Sequence, residues 1–241
     1  MAVTASVGKT ILVTGASRGI GYQIARRFAG ERDDYDTVLL LARPSEAFTA
    51  AAAGLAEGAR AGVRVQAYPV DLADADELRA AVDAIHAEHP RIDTLVNNAG
   101  YANPVALQQI DFADFQHTVN VNVYAPFLLV QHLLHRGNTF ELIVNVASTA
   151  GINGRAGWLT YSASKAAMIT MSQVMREELA LYGTRVVCVS PGRCATDLRR
   201  TLAPDEDPET IMRPADVAAV VDMLASGVGR FVDSANLVVR Q

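Results

Sequence analysis

The stretch TILVTGASRGIG at residues 10–21 predicts how this chain begins to fold. Its first five residues are apolar or β-branched, which is typical of a strand buried in a parallel sheet. Glycines follow in the pattern G-x-x-x-G-x-G, and Ile20, Ile24 and Phe28 then recur at helical spacing. A strand that passes through a glycine turn into a helix presents free backbone N–H groups where a dinucleotide phosphate can bind. A purely structural turn would show the same glycines.

The same alternation of strands and helices continues along the whole chain. Further strands are predicted at residues 37–41, 63–68, 94–96, 142–146, 185–190 and 237–239. Helices are predicted at residues 44–60, 75–89, 111–135, 160–182 and 214–225. No linker or internal repeat interrupts this order. We therefore expect residues 1–241 to form a single α/β domain of the doubly wound Rossmann type, with a mostly parallel seven-stranded sheet and helices on both faces.

Composition narrows the class of protein. The chain has 21 Lys and Arg against 26 Asp and Glu, for a net charge of -5, and it has no long basic block. We expect no nucleic-acid partner. The start lacks a signal-peptide pattern and no apolar run is long enough to span a bilayer, so we expect a cytoplasmic protein without a membrane partner. Cys188 and Cys194 are the only cysteines, which indicates neither a metal site nor a disulfide framework.

Distinctive residues directly follow six of the predicted strands. They are Gly15, Arg43, Asp71, Asn97, Ser148 and Pro191. Because the carboxyl ends of parallel strands meet at one edge of a sheet, these residues should line one crevice, where doubly wound sheets bind ligands.

Arg43 lies about 20 residues beyond the glycine turn, where an acidic residue would bind the ribose hydroxyls of NAD. The chain has Ala42 and Arg43 there instead, and Arg18 in the glycine turn can approach the same position. Two guanidinium groups suit a ribose 2′-phosphate, which favours NADP(H) over NAD(H) as cofactor. The alternative is that both arginines are solvated surface residues.

Tyr161 and Lys165 are spaced four residues apart at the start of a predicted helix, so they share one helix face. An ammonium group close to the phenol would lower its pKa from roughly 10. Tyr161 would then exchange a proton efficiently near neutral pH. An ordinary surface pair would show the same spacing.

Taken together, these motifs resemble the short-chain dehydrogenase/reductase family. The resemblance rests on residues 14–21, the segment NNAG at 97–100, Asn122, Ser148, Tyr161 with Lys165, and Pro191-Gly192. It extends from about Lys9 to Val239, in the family's order and spacing. It implies a Rossmann-type domain that transfers hydride between a nicotinamide ring and a carbonyl or alcohol.

The resemblance also implies catalytic roles for four residues. Tyr161 would protonate the carbonyl oxygen and Ser148 would donate a hydrogen bond to it. Lys165 would lower the pKa of Tyr161 and hold the nicotinamide ribose, and Asn122 would hold a water that links Lys165 to solvent. Alternatively, Ser148 caps a turn and Asn122 satisfies buried backbone groups.

The residues that the resemblance assigns to the cofactor come from every part of the predicted crevice. Besides Tyr161 and Lys165, they are Gly15, Ser17, Arg18, Gly19, Ile20, Gly21, Arg43, Asp71, Leu72, Asn98, Ala99, Gly100, Pro191, Gly192 and Thr196. Thr196 could instead be a helix N-cap.

The substrate should bind beside the catalytic residues. Its expected contacts are Ser148, Asn153, Trp158 and Tyr161, with Tyr101, Leu198 and Leu202 also in the wall. Such a wall suits a small apolar or aromatic carbonyl compound. Trp158 could instead only pack within its domain.

Two departures from the family pattern bear on the subgroup. Many members have Asp-Gly-Gly where this chain has Asp233-Ser234-Ala235-Asn236, and the loop after Thr196 is compact. Together with Gly157-Trp158, this looks closer to the sepiapterin, benzil or carbonyl reductases than to the oxoacyl-carrier-protein reductases. The family pairing of helices across a two-fold axis implies a homodimer or homotetramer. An NAD-linked alcohol dehydrogenase and a cofactor-binding protein without turnover stay open as alternatives.

Overall fold

A parallel seven-stranded sheet forms the centre of the computed structural model, which describes residues 8–232 and 234–241. The spatial order is β3-β2-β1-β4-β5-β6-β7. The strands are β1 (Lys9–Thr14), β2 (Tyr35–Ala42), β3 (Arg64–Pro69), β4 (Thr94–Asn97), β5 (Leu142–Val146), β6 (Arg185–Pro191) and β7 (Asn236–Val239). The order reverses between β1 and β4, and such a switch point opens a crevice at the carboxyl ends of the strands.

Helices connect these strands. They are α1 (Gly19–Gly30), α2 (Glu46–Glu57), α3 (Ala75–Glu88), α4 (Phe112–Val119), α5 (Ala125–His135), α6 (Leu159–Leu179), α7 (Asp197–Leu202) and α8 (Pro214–Ala225).

Side chains alternate between two hydrophobic layers, one on each face of the sheet. In β1, Ile11 and Val13 pack in a core with Phe28 of α1 and Val221 of α8. Leu12 points to the other face and packs in the core that includes side chains of α3 and α5. This two-residue period with burial on both faces explains why the strands read as continuous apolar runs. The expected doubly wound fold is confirmed.

The predicted helix at residues 111–135 is wrong in its middle. A π-helical turn at Asn120–Tyr124 separates α4 from α5. Pro126 lies in the first turn of α5 and has no backbone N–H, so the ordinary helical bond to the carbonyl of Asn122 cannot form. Turns of this kind are common at functional sites.

The region after β6 differs from the expected compact loop, because it contains the short helix α7. Thr196 caps this helix, since its Oγ1 accepts a hydrogen bond of 3.1 Å from the backbone N–H of Arg199. In the segment before β7, Asp233 lies outside the described residues. No helix within the described ranges is long and apolar enough to cross a membrane.

Candidate active site

A cleft of about 850 Å³ opens at the carboxyl edge of the sheet. Most of the predicted site residues line it: Gly15, Ser17, Arg18, Gly19, Ile20, Arg43, Asp71, Leu72, Asn98, Ala99, Gly100, Tyr101, Ser148, Trp158, Tyr161, Lys165, Pro191, Gly192, Thr196, Leu198 and Leu202. Gly21, Asn122 and Asn153 do not line the cleft. The size falls in the usual range of ligand sites, about 300–1,000 Å³.

The glycine turn is packed too closely for side chains. Gly15 has φ of 66°, and a Cβ there would lie 2.8 Å from Cα of Ala99. A Cβ on Gly21 would lie 2.4 Å from the carbonyl oxygen of Gly15 and from Nδ2 of Asn98. Gly21 therefore allows α1 to pack closely against the glycine turn, although it does not line the cleft itself. Asn98 fastens the turn to β4, because its Nδ2 donates to the carbonyl of Thr14 over 2.9 Å.

The N-terminus of α1 faces this turn without a side-chain cap. Its N-cap residue, Arg18, makes no capping hydrogen bond, and the first turn of α1 contains no acidic residue. The first backbone N–H groups of a helix lack partners within the helix, and the helix dipole is positive there. The glycine turn and the uncapped start of α1 together offer free backbone N–H groups to the phosphates of a dinucleotide.

The two arginines expected at the ribose phosphate are not equivalent. Arg18 forms an ion pair with Asp197 at the start of α7, with 3.1 Å between Nη1 and Oδ2. Arg43 is exposed, and within the described part of the chain it has no carboxylate at ion-pair distance. Only Arg43 therefore offers an uncommitted guanidinium at the adenosine end of the cleft.

Tyr161 is buried, with 5% of its surface exposed. Burial raises the pKa of its phenol, while a hydrogen bond with Ser148 and the charge of Arg199 lower it to a smaller extent. Ser148 also caps the 3-10 turn Thr149–Gly151, because its Oγ accepts from the backbone N–H of Ala150 over 3.1 Å. Ser148 thus both caps a turn and contacts the phenol.

Lys165 differs from the sequence-based expectation. Its Nζ donates to the carbonyl of Val146 over 2.8 Å and lies 5.8 Å from the centroid of the Tyr161 ring. Burial lowers the pKa of Lys165 to about 8. Burial gives Tyr161 a raised pKa in this structure, and Arg199 rather than Lys165 is the charge that lowers it, so the lowering of the Tyr161 pKa by Lys165 stays a prediction.

Asn122 is fully buried and binds backbone, as the alternative interpretation proposed. Its Oδ1 accepts from the N–H of Tyr101 over 2.8 Å, and its Nδ2 donates to the carbonyl of Tyr101 and to Oγ of Ser164, each over 2.9 Å. Ser164 in turn donates to the carbonyl of Tyr161 over 2.8 Å. These bonds tie the π-helical turn to α6.

Trp158 lies beside the phenol of Tyr161, with ring centroids 6.5 Å apart in an edge-to-face arrangement. Two arginines that the sequence motifs did not indicate flank it: Arg155 and Arg199 lie 5.3 and 5.5 Å from the indole centroid. The motifs also did not indicate His117, which lines the cleft and packs against Tyr101. Asn153 is exposed outside the cleft, so the expected substrate contact is not placed there. The three-residue spacing of Arg155 and Trp158 was the feature of the sequence that could have placed this arginine at the site.

Known proteins share both the sequence pattern and the fold. The model of the short chain dehydrogenase family matches residues 9–207. D-threitol dehydrogenase of Mycolicibacterium smegmatis is 32% identical over 245 residues, covering 96% of this chain and 91% of that protein. A 3-oxoacyl-(acyl-carrier-protein) reductase of Thermotoga maritima is 32% identical over 238 residues and covers 93% of each. These names span different substrates and leave the subgroup unresolved.

Solved structures agree with the observed architecture. A short chain dehydrogenase of Shigella flexneri, complexed with NADP, superposes with a TM-score of 0.85 at 30% identity and 95% coverage of both chains. A blue fluorescent protein from a metagenomic library, in complex with NADPH, gives a TM-score of 0.85 at 31% identity and 96% coverage of both. The glycine turn, the buried Tyr161 beside Ser148 and these matches lead to one conclusion: the chain is an oxidoreductase that belongs to the short-chain dehydrogenase family.

Proposed function

We propose that this protein is an NADPH-dependent reductase that converts the carbonyl group of a small substrate to an alcohol. One observation carries the proposal. The phenol of Tyr161 is buried in the cleft, in hydrogen-bond contact with Ser148 and one helical turn before Lys165, beside an open glycine turn.

The cleft supports NADP(H) as the cofactor. Its glycine turn and the uncapped start of α1 would hold the pyrophosphate, and Arg43 would bind the ribose 2′-phosphate. Lys165 would contact the nicotinamide ribose, and Pro191, Gly192 and Thr196 would lie against the nicotinamide. When bound, the cofactor supplies the hydride. The family members solved with NADP and NADPH are consistent with this choice.

The protonation state of Tyr161 supports reduction. Burial raises the pKa of the phenol, so Tyr161 holds its proton at neutral pH and can give it to the carbonyl oxygen. The hydroxyl of Ser148 would donate a hydrogen bond to the same oxygen as negative charge develops there. In the reverse reaction, oxidation of an alcohol, the same oxygen would accept the hydroxyl proton.

Lys165 would return the proton to Tyr161 after turnover. With a pKa of about 8, its ammonium can release a proton near neutral pH. Asn122 would help to hold the connecting water through its backbone carbonyl, because Pro126 cannot supply the usual helical donor to that carbonyl.

The substrate would be a small carbonyl compound with apolar parts. Ala102, Ala150 and Leu202 form an apolar cluster with Tyr161, and Trp158 and Leu198 pack against it. We also propose a homodimer or homotetramer, in which the exposed rings of Phe112, Tyr124 and Phe127 would be covered. Light scattering after gel filtration would measure the oligomeric state.

The test of the activity is NADPH oxidation with a panel of ketones and diketones. We expect Tyr161→Phe to reduce kcat/KM by at least about 10²-fold, because the proton donor is lost, and to leave the Kd for NADPH close to that of the wild type. Tyr182→Phe changes an exposed tyrosine in the same way and serves as the matched control. A Tyr161→Phe variant as active as the wild type would refute the proposal.

A second candidate is oxidation of an alcohol with NAD, which the similarity to D-threitol dehydrogenase favours. The two candidates differ in cofactor preference and in pH dependence. Higher affinity for NADH than for NADPH, together with polyol oxidation at neutral pH, would support this second candidate.

A further inference from the structure

The substrate end of the cleft contains an arginine that the proposed chemistry does not use. Arg155 lines the cleft three residues before Trp158, and its guanidinium carbon lies 5.3 Å from the centroid of the indole ring. Within residues 8–232 and 234–241 it has no carboxylate at ion-pair distance. A cation held in a cleft without a partner is available to a ligand.

A tight turn sets the relation between Arg155 and Trp158. The backbone N–H of Trp158 donates to the carbonyl of Arg155 over 3.1 Å, and Gly157 between them has φ of 78°. A positive φ at the third position of a turn suits glycine and is strained for other residues. The turn thus brings the arginine and the indole together just before α6, which carries Tyr161.

The guanidinium of Arg155 is at cation–π distance from Trp158 and has no side-chain hydrogen bond or ion pair among the described residues. A guanidinium contacts an aromatic ring through its flat face, while its N–H donors lie in the plane and point outward. That planar fork matches the two oxygens of a carboxylate. A cation–π contact also limits the conformations of the long side chain, so less freedom is lost when a ligand binds.

The other arginines at this end are already neutralised. Arg199 holds Glu206 in a bidentate pair, with Nε–Oε2 and Nη2–Oε1 distances of 2.5 and 2.7 Å. Arg193 reaches the same carboxylate at 3.4 Å. Arg199 and Arg193 are thus both paired with Glu206, whereas Arg155 has no such carboxylate among the described residues.

We propose that Arg155, in cation–π contact with Trp158, binds a carboxylate of the substrate and so makes the protein selective for oxo acids over neutral ketones. This inference rests on the proposed carbonyl reduction. Trp158 contacts both Arg155 and Tyr161, so a substrate held by Arg155 would carry its carboxylate several bonds away from the reacting carbonyl. An apolar segment of the substrate would pass along the indole.

The test uses the fact that Trp158 is the only tryptophan in the sequence. Its fluorescence reports binding next to Arg155 without any turnover. The protein with bound NADP⁺ is titrated with 4-phenylbutanoate and, separately, with 4-phenylbutanamide, which lacks the charge. We expect the wild type to bind the acid at least about tenfold more tightly than the amide, as for a forked charge-assisted pair.

Arg155→Gln should abolish this preference, and Arg155→Lys should restore part of it. The matched control is Arg230→Gln, because Arg230 also makes a cation–π contact, with the ring of Phe231 at 4.8 Å, but lies outside the cleft. Equal affinities for acid and amide in the wild type would overturn the inference, as would a preference that survives in Arg155→Gln.

Kinetics separate this inference from the proposed function. We expect kcat/KM for 4-oxo-4-phenylbutanoate to exceed that for its methyl ester by at least about tenfold, mainly through KM. If both compounds were reduced with equal efficiency, the role of Arg155 would be refuted and the proposed reductase activity would stand. Binding of the acid without reduction of any carbonyl would refute the reductase and keep the anion site.

Discussion

Lys165 holds its ammonium group in the interior, with 3% of its surface exposed and the carbonyl of Val146 as hydrogen-bond partner. Burial lowers its pKa from 10.5 to about 8, so the folded state binds this proton less tightly than the unfolded chain does. Below pH 8 both states are protonated and the destabilisation is fully present. It diminishes as the pH rises from about 8 toward 10.5, where the lysine becomes neutral in both states.

We therefore expect Lys165→Met to raise the free energy of unfolding at pH 7 by roughly 1–2 kcal/mol, because a buried charge is replaced by an apolar chain of similar length. The advantage over the wild type should shrink above pH 8. Urea denaturation at about pH 7 and about pH 9.5 measures both effects. Lys9→Met controls for the loss of a charge, since Lys9 is the other lysine and lies at the surface. An advantage that is independent of pH would contradict this account.

The guanidinium of Arg43 has no carboxylate near it among the described residues, whereas Arg18 is paired with Asp197. Arg43 is therefore the arginine that we expect to bind the ribose 2′-phosphate. We expect Arg43→Asp to weaken NADPH binding by about 10- to 100-fold, as when a charge-assisted hydrogen bond is lost and a repulsion is added. NADH binding should change little or improve. Isothermal titration with each cofactor measures the difference.

Arg64→Asp is the control for that substitution. Arg64→Asp makes the same change in charge. Arg64 lies at the start of β3, at the opposite end of that strand from the cleft, and it does not line the cleft. A cofactor preference that shifts equally in both variants would mean that general charge, rather than Arg43 itself, selects NADP(H).

At the scale of elements, α1 and α2 each contain a glycine that plays a different role. Gly21 in α1 is buried, and a Cβ there would lie 2.4 Å from the backbone of the glycine turn. Gly54 in α2 is exposed, and a Cβ there would meet nothing within 4 Å. Helix propensity favours alanine over glycine by about 1 kcal/mol at both positions. A difference in stability between the two alanine variants therefore measures how tightly Gly21 packs against the glycine turn.

We expect Gly54→Ala to stabilise the protein by roughly 0.5–1 kcal/mol. Gly21→Ala should destabilise it by roughly 1–3 kcal/mol, because the overlap must be relieved by moving backbone, and it should weaken cofactor binding as well. Chemical denaturation and cofactor titration of the two variants give both results. Similar stability of the two variants would show that the glycine turn can adjust without cost.

The segment at residues 111–135 has a feature that apolar periodicity did not predict. Apolar periodicity predicted a single helix over residues 111–135, and its ends are close to those of α4 and α5. The π-helical turn inside it lies where Pro126 removes a helical donor, and Asn122 in that turn binds Tyr101 and Ser164 from other parts of the chain. Periodicity reports which face is buried and carries no information about such bonds.

At the scale of the whole molecule, the cofactor would contact strand ends from both halves of the sheet and so stabilise the fold as a unit. A ligand present at about 100 times its Kd adds about 2.7 kcal/mol to the free energy of unfolding. For a chain of this length that corresponds to a rise in Tm of roughly 5–10 °C. We expect NADP⁺ to give this rise in a thermal melt, and NAD⁺ at the same concentration to give a smaller one. Equal shifts would contradict the preference for NADP(H).

The sequence by itself determined the features that depend on neighbours along the chain. Periodicity of two and of about 3.6 residues identified most strands and helices, and the spacing of glycines and of Tyr161 with Lys165 located the site. Only the tertiary structure decided which arginine is free, because Asp197 comes to Arg18 from a distant segment. It also decided that the pKa of Tyr161 rises, and that Arg155 and Arg199 flank Trp158. Ion pairing and loss of solvent depend on groups that folding brings together, so no local pattern of residues encodes them.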